Sequence, residues 1–406
     1  MSILPKMIFL FLNIPIIRSI QRFKNWNKDL SKFIWGGKKP RIKRTHLIDE
    51  KKRGGLGLPN LQLYHDACGL TWIKDWATLK KTLKILTLEG ADLRSGWHAY
   101  LWYDKKSIEK NFGNHFIRSS LMKIWDKYKR RFHLKTPLWI SPLEACERKE
   151  LGRDNWPRYK DILIRTNNNY QIKSQEDVSK HFTNIGWFQY IQLKEYYTKD
   201  KKLGFEDQEG YWEMIMKLEK KVISKIYKKL LEWETETDLI KECMSKWAKN
   251  LGKSIQLAEW EKCWNTRLKH TYAMDLKENW IKIFYRWYWT PQKMAKFNKN
   301  ASNKCWKCGV EVGTFYHCWW TCKKVKVYWK EVHWRIQKML QIRIDLNPKY
   351  FLLGMLDIDK DRNKEVLFNY LTTAARMNLA KFWKDKEIPE IRVYAPTTEA
   401  EEETKS

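Results

Sequence analysis

Apolar positions along this chain recur mostly every three or four residues, the period of an amphipathic helix. The pattern is clearest over residues 211–300. Ile215, Leu218, Val222, Ile226 and Leu230 form one series; Leu239, Cys243, Trp247 and Leu251 form a second; Leu276, Trp280, Phe284 and Trp287 form a third. Three amphipathic helices at this density predict a bundle, and Pro291 stops the last of them. Val325, Trp329, Val332, Ile336 and Leu340 predict a further helix, and Leu367, Leu371, Ala375, Leu379 and Phe382 a final one. Closer to the start, Leu63, Ala67, Leu70 and Ile73 repeat in the same way, and another helix is expected near Trp26–Trp35. Strand signals are few. Ile162–Ile164 and Tyr170–Ile172 flank Asn167, Asn168 and Asn169, which suit a turn. The expected fold class is mainly α, with multi-helix bundles and minor short β-hairpins.

Shifts in this pattern divide the chain into five segments. Residues 1–60 join an apolar opening to a basic run. Residues 61–210 start helical and turn irregular around Pro137, Pro142 and Pro157. Residues 211–300 are the bundle, 301–390 carry a cysteine/histidine cluster, and 391–406 form an acidic tail too poor in apolar residues to fold. The apolar run from Met7 to Ile17 imitates a signal-peptide core. No small-residue cleavage site follows it, Asn13 and Pro15 interrupt it, and it is too short to span a bilayer. A buried helix and turn is expected there, and no membrane partner.

Charge changes the picture most. Lys plus Arg number 79 and Asp plus Glu 47, a net +32 over 406 residues. Such an imbalance points to a polyanionic partner whose counterions are released on contact. Two basic runs stand out. One contains Lys38, Lys39, Arg41, Lys43, Arg44, Lys51, Lys52 and Arg53 and ends on Gly54, Gly55 and Gly57; the other contains Lys127, Lys129, Arg130 and Arg131 beside Trp125 and Tyr128. Both are candidate nucleic-acid contacts, for RNA and DNA. Of the 24 tryptophans, most are expected in cores, and a minority are free to stack on unpaired bases. Cys68, Cys146, Cys243 and Cys263 are scattered and read as buried free thiols. A disulfide framework is not expected. The chain therefore reads as cytoplasmic or nuclear and not secreted.

The candidate chemistry is concentrated in one place. Cys305-Trp306-Lys307-Cys308 is followed, eight residues later, by His317-Cys318-Trp319-Trp320-Thr321-Cys322. Two thiols two residues apart can grip one metal from a tight turn, and a histidine and a third thiol complete a tetrahedron. The expected ligands are Cys305, Cys308, His317 and Cys322, with Cys318 the competitor for one of the four places. A hairpin between Gly309 and Gly313 would bring the halves together. Four protein ligands leave no open position, so zinc (Zn2+) would be structural in a small zinc-knuckle-like module. Other motifs fail. Asp357, Asp359 and Asp361 have calcium-loop spacing, but Arg362 replaces the required glycine and Phe368 the closing glutamate. Gly55-Leu56-Gly57 has neither a preceding strand nor an acidic partner. No phosphate-cradling loop, zincin helix or nucleophile elbow is present.

Several strings together carry a family resemblance. Ile3-Leu4-Pro5-Lys6, Ile14-Pro15-Ile16, Phe33-Ile34-Trp35 and Gly54-Gly55-Leu56-Gly57-Leu58-Pro59 resemble the region after the catalytic palm in the second-open-reading-frame protein of long interspersed (non-LTR) retrotransposons. Tyr285-Arg286-Trp287-Tyr288-Trp289-Thr290-Pro291, Lys304-Cys305-Trp306 and His317-Cys318-Trp319-Trp320 resemble the approach to that protein's C-terminal cysteine-rich segment, and its centre. The resemblance covers about residues 3–390. It implies that 1–60 is a thumb-like remnant, that 61–210 is a connecting region, and that the family's Cys, Cys, His, Cys ligands fall on Cys305, Cys308, His317 and Cys322. It also implies contact with RNA and DNA during target-primed reverse transcription. The family's polymerase needs paired aspartates for two metals. No Asp-Asp pair occurs here, and no endonuclease domain is read within these residues. The expectation is a truncated, non-catalytic nucleic-acid-binding fragment, with contacts once made to an absent palm. The alternative is a tryptophan-rich protein-interaction module from a non-functional copy of the element.

Overall fold

The computed structural model describes residues 3–14, 16, 19–51, 54–78, 101–102, 106, 109, 116–143, 157–167, 169–235, 238–269, 273–298, 300–356 and 361–391. The expected mainly helical class is what the chain adopts. Helices follow one another through the described residues, and the only sheet among them has two strands. No helix of the described residues is long and apolar enough to cross a membrane.

The chain folds as two compact units, 1–37 with 59–234, and 38–58 with 235–406. These boundaries differ from the expected ones at 60, 210 and 300. The reason is packing: the helix Val222–Glu234 lies against Leu61–Thr78, so the front of the expected 211–300 bundle belongs to the first unit. The segment 38–58 leaves its sequence neighbours and joins the second.

In the first unit Leu61–Thr78 is the central helix. Its Leu63, Ala67, Leu70, Ile73 and Ala77 are all buried, against Ile3–Asn13, Phe116–Phe132, Tyr211–Lys217 and Val222–Glu234. Trp72, Trp76, Trp125 and Trp212 fill the same core. Asp66 is buried within it. Burial pushes its carboxyl up, but bonds from His65, Lys127 (2.9 Å) and Tyr128 (2.6 Å) outweigh that and hold it below its ordinary value. The series from Ile215 to Leu230 is not one helix. Tyr211–Lys217 and Val222–Glu234 are separated by a break in which Lys221 takes a left-handed φ of 57°. The expected hairpin forms from Leu163–Thr166 and Asn169–Ile172, turning at Asn167 (φ 43°).

His133 is another buried titratable group of this unit. His133 is 3% exposed, and neither ring nitrogen has a hydrogen-bond partner among the described residues. Trp102 and Trp139 lie against the ring, and burial pulls its pKa down to about 4. An unfolded chain protonates this histidine near pH 6.5 (approximately). As pH falls below that value the unfolded state therefore takes the proton first, and stability is lost down to the folded value, by about 3 kcal/mol in total. His133→Phe should flatten that loss in urea melts between these two pH values. An equally steep loss in the variant would contradict the assignment.

In the second unit Met274–Phe284, Lys323–Leu340, Pro348–Leu353 and Arg362–Lys381 surround a core rich in rings, including Trp247, Trp260, Trp264, Trp280, Trp319 and Trp329. The third series ends early: the helix stops at Phe284, and Arg286 takes a left-handed φ of 51°, so Trp287 leaves the helical face.

Candidate metal centre

The first two cysteines lie on a tight turn. Asn303 accepts from the Gly313 N–H, and Cys305 N–H donates to the Glu311 carbonyl (2.8 Å), while Lys304 bridges Val312 in antiparallel fashion. The paired residues are thus 304 and 312, and the reversal takes in 305–311 rather than only Gly309–Gly313. Gly309 follows Cys308 with a φ of 69° and donates back to the Cys305 carbonyl, a conformation that a side chain would strain.

The other two ligand candidates lie at the ends of a single π turn, His317–Thr321: His317 is its first residue and Cys322 follows its last. Cys322 N–H reaches the His317 carbonyl, five residues back, at 3.0 Å. The widened turn brings residues five apart onto one side, a device often found at functional sites. Thr314 begins it, its hydroxyl accepting from the His317 N–H at 3.0 Å.

These two elements bring the ligand atoms of Cys305, Cys308, His317 and Cys322 within 4.8 Å of one another. Cys305 and Cys322 sulfurs stand 4.0 Å apart, and His317 Nε2 lies 3.4 Å from the Cys308 sulfur. Thiolates on a zinc tetrahedron, with bonds of about 2.3 Å, lie about 3.8 Å apart, so the group fits such an ion. His317 Nδ1 meets Glu311 Oε2 at 3.2 Å and Thr321 Oγ1 at 3.3 Å. A carboxylate behind a ligating histidine fixes the ring and leaves Nε2 to the metal. The four residues therefore form a group that could hold a metal ion.

Cys318 stands apart from the four. It is hydrogen-bonded to Cys305; that bond, burial and the neighbouring sulfurs push its thiol far up. The same bond from Cys318 draws Cys305 down to about 4. Cys322 is pushed up to about 11 by burial. A cation among the sulfurs reverses that, since a coordinating thiol is deprotonated outright.

Two residues here escaped sequence reasoning. Lys307 is buried between the first two cysteines, and its ammonium donates to the Phe382 and Glu387 carbonyls (2.6 and 2.7 Å). It clamps the turn to the chain after Arg362–Lys381. Glu311 reads in sequence as an ordinary exposed turn residue. Only the fold puts it behind His317.

The basic candidates divide between the units. In the second, Lys38, Lys39, Arg41, Lys43 and Lys51 are exposed and Arg44 is half-buried, while Lys52 and Arg53 lie outside the described residues. The glycines that end this run serve folding. Gly55 lies so close to Asp49 that an added Cβ would sit 2.0 Å from its carbonyl oxygen, and Leu58 N–H returns to the Leu47 carbonyl at 2.7 Å. In the first unit Lys127 pairs with Asp66, Lys129 pairs with Asp126 at 2.8 Å, and Arg131 donates to the Trp233 carbonyl at 3.3 Å; Arg130 is exposed. Among the scattered cysteines, Cys68 and Cys263 are buried, Cys243 is half-buried and donates to the Phe284 carbonyl (3.2 Å), and Cys146 lies outside the described residues. So do Asp357 and Asp359, whereas Asp361 caps Arg362–Lys381 by accepting from Lys364 N–H. No family model matches this chain.

Proposed function

We propose that this protein binds RNA and DNA without catalysing a reaction on them, and that a structural zinc held by Cys305, Cys308, His317 and Cys322 fixes the fold of its second unit. The observation that carries the reading is the charge: +32 overall, with Lys38, Lys39, Arg41, Lys43 and Lys51 exposed. Phosphate chains are the common polyanion for such a surface. The sulfur-rich ligand set suits zinc, and its four protein ligands suit a structural role. The motif strings suggest the post-palm part of a non-LTR retrotransposon reverse transcriptase, working on template RNA and target DNA.

The test is the salt dependence of binding to structured RNA and to nicked duplex. If six or more phosphates are engaged, affinity should fall by about a thousandfold or more between 50 and 200 mM salt. A flat profile would remove phosphate-driven binding. A protein partner is the second reading, favoured by one feature: Trp187, Phe188 and Ile191 are 65, 65 and 42% exposed on the helix Trp187–Asp200. Weak heparin retention together with readily quenched tryptophan fluorescence would favour it.

A further inference from the structure

The helix Lys323–Leu340 starts directly after the last ligand candidate, Cys322. It packs on the π turn His317–Thr321 and on the helix Arg362–Lys381, and its Val325, Trp329, Val332, Ile336 and Leu340 are buried. The Tyr328 hydroxyl donates to the Ala375 carbonyl at 2.8 Å and ties the two helices together. With about 3.6 residues per turn, Lys323, Val327, Lys330, Trp334 and Lys338 fall in one row on the opposite side. All five are exposed.

Two features set this row apart from an ordinary solvated helix face. The first is its apolar content: Trp334 is 59% and Val327 67% exposed, whereas twelve other tryptophans are buried. Among the described residues no other ring packs on Trp334; its neighbour is the Lys338 ammonium, 5.2 Å from the ring centroid. The second is the sign of the charge. Lys323, Lys330 and Lys338 lie in the row and Lys324 and Lys326 flank it, and among the described residues no carboxylate pairs with any of these exposed lysines. The helix has one acid, Glu331, and Arg335 already holds it through Nη2 (2.6 Å) and Nε (3.1 Å). Lys330 and Lys338 stand about 6 Å along the axis on either side of Trp334. An indole between cations meets both needs of an unpaired strand, a π face for a base and positive charge for the phosphates beside it. A lipid surface suits this helix less well. An interfacial helix sinks its apolar face into lipid, and the apolar face here is in the protein core.

We propose that this outward row of Lys323–Leu340 binds a single nucleic-acid strand, with one unpaired base stacked on Trp334 and the adjoining phosphates on Lys330 and Lys338. The proposal rests on the reading of the chain as a nucleic-acid binder, and adds the surface used and the residue that touches a base.

The full chain is titrated with fluorescein-labelled single-stranded oligouridylate and with a blunt RNA duplex of the same length, each at several salt concentrations, and with phosphatidylserine vesicles. Trp334→Ala should weaken single-strand binding by about tenfold, the order of one lost stacking contact, and leave the salt slope and duplex affinity unchanged. Trp334→Phe, which keeps a ring, should recover most of that loss. Lys330→Gln/Lys338→Gln should lower the log–log salt slope by about 1.4, for two phosphate contacts at about 0.7 each in a single strand. Trp187→Ala, at an exposed tryptophan of the first unit, should bind as the wild type does. Salt-sensitive wild-type binding that Trp334→Ala shares at full strength would overturn the row and leave the wider function standing. A flat wild-type profile would overturn both. An equal loss on duplex and single strand would overturn base stacking. Vesicle binding that Trp334→Ala abolishes, with RNA affinity intact, would assign the row to a membrane surface and overturn the proposal.

Discussion

Cys305→Ser is expected to abolish binding of the proposed zinc and open the segment from Asn303 to Cys322, with a loosened Lys323–Leu340 helix behind it. The effect should be the largest of any single substitution in the chain. Zinc binding contributes about 10–16 kcal/mol in small zinc-finger peptides at neutral pH. Whole domains are stable by only about 5–15 kcal/mol. Few backbone bonds hold this turn without the ion. Its closing contacts are Cys305 N–H to Glu311, Gly309 N–H to Cys305 and the Gly313 bond to Asn303. Trp319 is fully buried in the same segment and its carbonyl accepts from Trp329 Nε1, so opening the turn disturbs the core around Lys323–Leu340. Limited proteolysis of the purified chain, with and without a chelator, reads this directly. New cleavage within 303–322 is expected in both the variant and the chelated protein, and unchanged resistance would contradict a folding role for metal. Cys318→Ser should keep both the metal and the resistance.

Arg376→Ala is expected to destabilise the second unit by about 3–5 kcal/mol, the combined cost of a large cavity and of buried acceptors left without their donor. The Arg376 side chain is fully buried in Arg362–Lys381. It donates to the Phe351 carbonyl (2.7 Å), to Thr373 Oγ1 (2.6 Å) and towards Asn279 Oδ1 (3.5 Å). These partners lie on three helices: Pro348–Leu353, Arg362–Lys381 itself and Met274–Phe284. Truncation would leave their acceptors without this donor, and it would also leave a large cavity. Urea melts of the full chain should show the transition of the second unit moved to lower denaturant while that of the first stays in place. A shift under about 1 kcal/mol, the size of a typical single hydrogen bond, would show that the guanidinium is not a keystone.

The sequence made the helices legible because their apolar period is regular. Val325 through Leu340 and Leu367 through Leu379 are read from spacing alone, and those helices form. The breaks were not legible. Lys221 and Arg286 both turn left-handed without being glycine, so the series at 215–230 and 276–287 look continuous until the backbone is seen. The grouping of helices was hidden as well, since it depends on long-range packing: nothing local says that 38–58 leaves 1–37 to join 235–406. The ligand group was legible because thiols and imidazole at knuckle spacing have few other uses. Its supports, Glu311 and Lys307, were not, because a charged residue near a turn is ordinary in sequence. Among the described residues the tryptophans mostly serve packing: twelve are buried, and Trp187 and Trp334 are the exposed ones.

The most direct test is X-ray absorption at the zinc edge, together with elemental analysis, on purified, folded, metal-replete full chain. About one zinc per chain is expected, with three sulfurs at about 2.3 Å and one nitrogen at about 2.0 Å. Less than about a tenth of an equivalent, or a shell of four sulfurs with no nitrogen, would contradict a centre built from Cys305, Cys308, His317 and Cys322.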